Sequence, residues 1–112
     1  MTRQEMIEML EAGITDFSGQ DLSDLDLTGL NLLKCNFTCA NLSYTDLADA
    51  YLLKVCFNSA NLDYARLAGA NLEGASLSHA SLIDADLGYT DLRNTNLTKA
   101  NLKGARLLNT KF

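Results

Sequence analysis

Chemistry-bearing residues are scarce in this chain of 112 residues. His79 is its one histidine, and no G-x-S-x-G, P-loop, G-x-G-x-x-G or H-E-x-x-H pattern occurs. The usual signatures of hydrolysis, nucleotide binding and zinc catalysis are therefore missing. No apolar run approaches the roughly 18 residues of a membrane-crossing helix, and the first residues lack the apolar core of a secretory leader. A soluble protein with no membrane contact is expected. Cysteine is confined to Cys35, Cys39 and Cys56. Three free thiols suit a reducing compartment, so a cytoplasmic location is expected.

What is present is a repeat. From Phe17 to Phe112 every fifth residue is Leu or Phe, at twenty positions without a slip. Two residues before each lies a smaller set, Ala at ten positions and Thr at five, with Gln20, Leu25, Leu30, Cys35 and Val55 as exceptions. A period of five suits neither ordinary element. On a helix five residues advance about 500°, so the Leu would share no face. In a flat strand side chains alternate with period two, so every second Leu would face the wrong way. A chain that bends once per repeat turns both the Leu/Phe and the small residue inward, and it must coil around its own core.

Units such as Ala40-Asn41-Leu42-Ser43-Tyr44, Ala60-Asn61-Leu62-Asp63-Tyr64 and Ala100-Asn101-Leu102-Lys103-Gly104 resemble the A(D/N)Lxx consensus of pentapeptide repeat proteins. The resemblance covers residues 15–112. It implies an all-β solenoid, a right-handed quadrilateral β-helix of about five coils with four pentapeptides per coil. At the spacing of neighbouring strands such a stack would be about 24 Å long. Two regions are expected, a capping helix over residues 1–13 and the repeat β-helix over 14–112.

The capping helix is read from Thr2-Arg3-Gln4-Glu5, a capping box, followed by Met6, Ile7, Met9 and Leu10, with Gly13 where a left-handed residue ends a helix. It is expected to plug the open end of the core. Inside, Phe17, Phe37 and Phe57 should form an aromatic stack that gives way to Leu77 and Leu97. Cys35 should point inward and Cys56 outward, which opposes a disulfide between them.

Stacking the chain in twenties turns the outward residues into columns, where function is written. The position before each Leu is Asp or Asn in thirteen of twenty units, suited to bonding the local backbone at the bends. Tyr51, Cys56, Arg66, Ser76, Ser81, Arg106 and Lys111 depart from this. One side departs most from polar character. Leu33 stacks on Leu53, Tyr51 stands beside them, and Lys34 stacks on Lys54, an apolar group rimmed by charge of the kind that marks contact sites. Elsewhere Tyr44 should stack on Tyr64, and Glu73 should pair with Arg93 as an exposed ion pair of little energetic weight. Cys39, Ser59 and His79 share a column, but Cys39 and His79 lie two coils apart, about 9.6 Å, too far for one zinc ion.

The net charge of −5 is graded along the chain. Residues 1–32 carry seven acids and one base, whereas residues 93–112 carry five bases and no acid. Lys99, Lys103, Arg106 and Lys111 would guard an uncapped last coil or support end-to-end association or a homodimer.

The function expected is a non-enzymatic scaffold or protein–protein interaction module with an unknown protein partner. No cofactor, metal or direct nucleic-acid contact is expected. The family resemblance implies two alternatives, a DNA-mimicking binder of DNA gyrase or topoisomerase and the repeat domain of a BTB-type adaptor. The first fits an acidic rod, but the chain is only mildly acidic and its last residues are basic.

Overall fold

A chain that bends every five residues needs, at each bend, a residue able to sit at positive φ. The computed structural model, which describes all 112 residues, meets this demand at all nineteen positions two after a Leu or Phe, from Gly19 to Asn109. Fourteen of those nineteen residues are not glycine. In the unit Leu32–Cys35 the Leu32 carbonyl accepts from the Cys35 N–H at 3.0 Å, and Lys34 holds φ 59°. A positive φ at the third residue of a four-residue turn is the mark of a type II turn.

Successive turns of the chain are locked in register. Sixteen parallel bridges, from Asp16↔Asn36 to Asp91↔Lys111, each join residues twenty apart, so one circuit takes four pentapeptides. Every contact is a short one. The Leu42 N–H donates to the Asn61 carbonyl at 2.7 Å, the Tyr44 N–H to Asp63 at 3.0 Å, and the Asn61 N–H returns to Ala40 at 3.0 Å. The pairing is that of a parallel sheet, yet no continuous strand forms. Bends every five residues leave a single bridging residue per unit, the one before each Leu or Phe.

The buried side chains form one column. Phe17 stacks on Phe37 with ring centres 5.6 Å apart, and Phe37 on Phe57 at 5.3 Å. The inward Leu residues from Leu22 to Leu87 are fully buried, with Ala40, Ala60 and Ala80 among the small residues beside them. Where the small residue is Thr, its hydroxyl is satisfied. Thr45 Oγ1 donates to the Leu22 carbonyl at 2.8 Å and Thr90 Oγ1 to Leu67 at 2.7 Å. On the last circuit burial declines. Leu97 and Leu102 are half-buried, and Leu107 and Phe112 are exposed because no further circuit lies over them in the structure.

The N-terminal segment forms α1 (Arg3–Glu11). Thr2 caps it by accepting from the Glu5 N–H at 3.1 Å. At its other end Gly13, at φ 83°, lets the Gly13 N–H reach the Leu10 carbonyl and the Ile14 N–H reach Met9, the paired bonds of a Schellman motif. Met6 is fully buried in the core, and Met9, Leu10, Leu25 and Leu30 pack against it. The helix is thus the expected plug. It also accounts for the molecule's length, because the long dimension of 34 Å exceeds a stack of about 24 Å by roughly one helix diameter.

Arg3 does something that the sequence pattern did not disclose. Its Nη1 donates to the Asp26 carbonyl at 2.9 Å and its Nη2 to the Thr28 carbonyl at 3.1 Å. One circuit further on, the equivalent carbonyls of Asp46 and Ala48 accept from the Leu27 and Gly29 N–H groups. The guanidinium fork therefore supplies the two donors that a preceding circuit would have provided. Arg3→Ala is expected to lower stability by about 1 kcal/mol, since charge-assisted bonds are strong but this side chain is partly exposed. Arg3→Lys should recover less than half of the loss, because a single ammonium cannot span both carbonyls; urea denaturation checks both.

Candidate partner interface

Each of the thirteen Asp or Asn residues before an inward Leu or Phe does the same local work. Its Oδ1 accepts from the N–H two residues later, at 2.9 to 3.1 Å, from Asp16 and Ser18 through Asn101 and Lys103. The bond ties the side chain down as the chain enters its bend, as the sequence suggested. For Asp16, Asp21 and Asp26 the bond to the neighbouring hydroxyl comes first and the bond to its amide second. Together they hold these carboxyls below their ordinary value of 3.8.

Units without Asp or Asn solve the problem differently or leave it open. At Ser81 the carboxylate of Asp63, one circuit below, accepts from the Ile83 N–H at 2.9 Å. At Tyr51 nothing does, and the Leu53 N–H has no hydrogen-bond partner. The amides of Asn58, Ala68, Ser78 and Leu108 are likewise unpaired.

Tyr51 and Leu53 lie on one face with the buried Leu52 between them. The bridge Asn31↔Tyr51 and the bond from the Lys34 N–H to the Leu53 carbonyl place Leu33 directly below Leu53. Leu33 and Tyr51 are 38% and 39% exposed, whereas Leu53 is half-buried, so the patch is two protruding groups around a recessed one. Lys34 and Lys54 are exposed beside it, and the stem of Lys54 runs across Gly74, its Cγ 3.3 Å from where a Cβ would stand. All four ion pairs of the molecule use arginine, so both ammonium groups are free of carboxylate partners.

Above the patch the surface becomes ionic. Arg93 pairs with Glu73 at 3.6 Å, as the columns imply, but its closer partner is Asp91 at 2.7 Å, within its own unit. That contact holds Asp91 below and Arg93 above their ordinary values, chiefly through the hydrogen bonds between them. On another corner Tyr44 and Tyr64 stack with ring centres 4.9 Å apart and planes within 5°, so each covers part of the other. Cys35 is buried, which pushes its thiol up to about 11, whereas Cys39 is exposed and Cys56 is half-buried with Sγ 3.3 Å from Thr38 Oγ1. No helix is long and apolar enough to cross a membrane.

The pentapeptide repeats family model matches eight copies over residues 15–52, 56–88 and 75–112. The chain belongs to the pentapeptide repeat family. Among solved structures it is similar to Rfr23, a pentapeptide repeat protein of the cyanobacterium Cyanothece 51142, at 33% identity and a TM-score of 0.80, covering 82% of this chain and 63% of that one. It is also similar to a pentapeptide repeat protein of the Arabidopsis thaliana thylakoid lumen, at 34% identity and a TM-score of 0.57, covering 83% and 67% of the two chains. The chain thus spans less than two thirds of the length of Rfr23. No protein of curated function matches the sequence. Pentapeptide repeat relatives are right-handed quadrilateral β-helices, and the twenty-residue register seen here fits that architecture.

The lowered aspartates make the first circuit sensitive to acid. Their folded values lie below 3.8, so their stabilising contribution is complete above about pH 4 and is lost as pH falls through the lowered folded values. Asp16→Asn with Asp21→Asn keeps the backbone acceptor and removes the titration. The variant is expected to lose less melting temperature than the wild type between roughly pH 5 and pH 2, as followed by circular dichroism.

Proposed function

We propose that this pentapeptide repeat protein is a non-enzymatic scaffold that holds a protein partner on the face bearing Leu33, Tyr51 and Leu53, with Lys34 and Lys54 at its margin. The observation that carries the reading is the grouping itself. Most outward columns are lined by Asp, Asn, Ser, Thr or charged residues, whereas here two exposed apolar side chains flank a recessed leucine in register. Apolar groups concentrated on one part of a surface and rimmed by charge favour a protein contact.

A stack of hydrogen-bonded circuits suits this role, because it keeps the three side chains at fixed spacing and a partner need not order them. The three unpaired thiols favour the cytoplasm as the place of action.

Leu33→Asp with Leu53→Asp tests the reading. In a pull-down from lysate of the source organism, with both proteins shown to be folded by circular dichroism, at least one protein held by the wild type should be lost with the variant. Identical sets retained by the two proteins would remove this face from consideration.

A further inference from the structure

The same face carries three donors that nothing in the molecule fills, and all three suit an anion. The first is the Leu53 N–H, unpaired because Tyr51 stands where thirteen other units have Asp or Asn. The others are the ammonium groups of Lys34 and Lys54, stacked one circuit apart and free of ion pairs. Four other amides are open in the same way, at Asn58, Ala68, Ser78 and Leu108, but only Leu53 is followed by a lysine. Lys34 and Lys54 are also the only basic residues between Arg3 and Arg66, a stretch that holds ten acids. Across the first two circuits, positive charge is therefore found only beside Leu33 and Leu53.

Resting on the interaction reading above, we propose that the partner presents a short segment with a carboxylate between large apolar side chains. The carboxylate accepts from the Leu53 N–H, taking the place that the Asp or Asn side chain occupies elsewhere at 2.9 to 3.1 Å. Lys34 and Lys54 neutralise it, and the apolar side chains cover Leu33, Leu53 and the Tyr51 ring. Charge complementarity selects this occupant. The acidic surface of the first two circuits repels a carboxylate-rich partner at other points, so on that part of the rod an acidic group is welcomed only here. A basic segment would be drawn instead to the acidic residues of α1 and the first circuit.

The test uses the isotope-labelled full chain at low ionic strength and two blocked peptides. One alternates Leu with Asp and the other alternates Leu with Asn, and binding is followed through amide chemical shifts. The acidic peptide should shift the Leu33, Leu53 and Lys54 amides and bind about fivefold more tightly than its amide twin, the scale of one charge-assisted bond over a neutral one. Tyr51→Asn offers an internal acceptor to the Leu53 N–H; it should raise the melting temperature and abolish the preference for the acidic peptide. Tyr51→Ala removes the ring but leaves the N–H open, and should keep that preference. Lys34→Gln with Lys54→Gln should reduce it.

Equal binding of the two peptides on this face would overturn the carboxylate inference and leave the face as a contact site. Acid preference unchanged in Tyr51→Asn would overturn the role of the Leu53 N–H. Concentration-dependent shifts of the same amides without peptide would assign the face to a second copy of the chain, and so overturn the proposal. Absence of any shift with either peptide would overturn it as well. The pull-down with Leu33→Asp and Leu53→Asp would still judge the interaction reading separately.

Discussion

A left-handed residue every five positions is the constraint on which the rest of this structure depends. Each positive φ from Gly19 to Asn109 turns the chain through one corner, and four corners bring it back over itself after twenty residues. Only then do the inward Leu meet in a column and the backbone donors of one circuit find the acceptors of the next. For an L-residue this conformation costs on the order of 1 kcal/mol, so a lysine or tyrosine there is held by the hydrogen bonds and burial around it. Glycine relieves the cost at five of the corners, and Asp or Asn reduces it at another five.

Stability and recognition use different parts of the same five-residue unit. The Leu or Phe and the small residue before it face the core, and the Asp or Asn between them secures the bend. The two residues after the Leu or Phe are left for display. Tyr51 crosses that division. It occupies the place of a bend-securing side chain and leaves the Leu53 N–H without a partner. A departure from the repeat at a position with a local structural duty carries more information than a departure at a position that is free to vary.

The architecture was readable from the sequence because each unit repeats the same physical demand. The bend, the inward Leu column, the Phe17–Phe37–Phe57 stack, the Asp/Asn bonds and the Schellman end of α1 all follow from residue type and spacing. Three features were not readable. Positive φ at Lys34, Tyr44 or His79 is imposed by the circuit and contradicts local preference; its one sequence signal is that five of seven glycines share that position. The fork of Arg3 on Asp26 and Thr28 spans more than twenty residues and belongs to no repeat. At the candidate interface, the alignment of Leu33, Leu53, Lys34 and Lys54 could be read from spacing. Tyr51 in the Asp/Asn position was a signal for the unpaired Leu53 N–H, but only the structure separates it from Ser81, another departure, where Asp63 of the circuit below accepts from the Ile83 N–H.

The register of twenty also makes the surface a dial. Adding one pentapeptide between Lys34 and Cys35 would keep every later Leu pointing inward and every corner intact, yet would carry all the columns beyond it one side further round the axis. Leu33 and Leu53, now one above the other, would then look out from adjacent sides. A lineage built on this unit can therefore reposition whole rows of surface residues by length alone, the inward column staying apolar even where a contact such as Phe17 on Phe37 is exchanged for Phe on Leu.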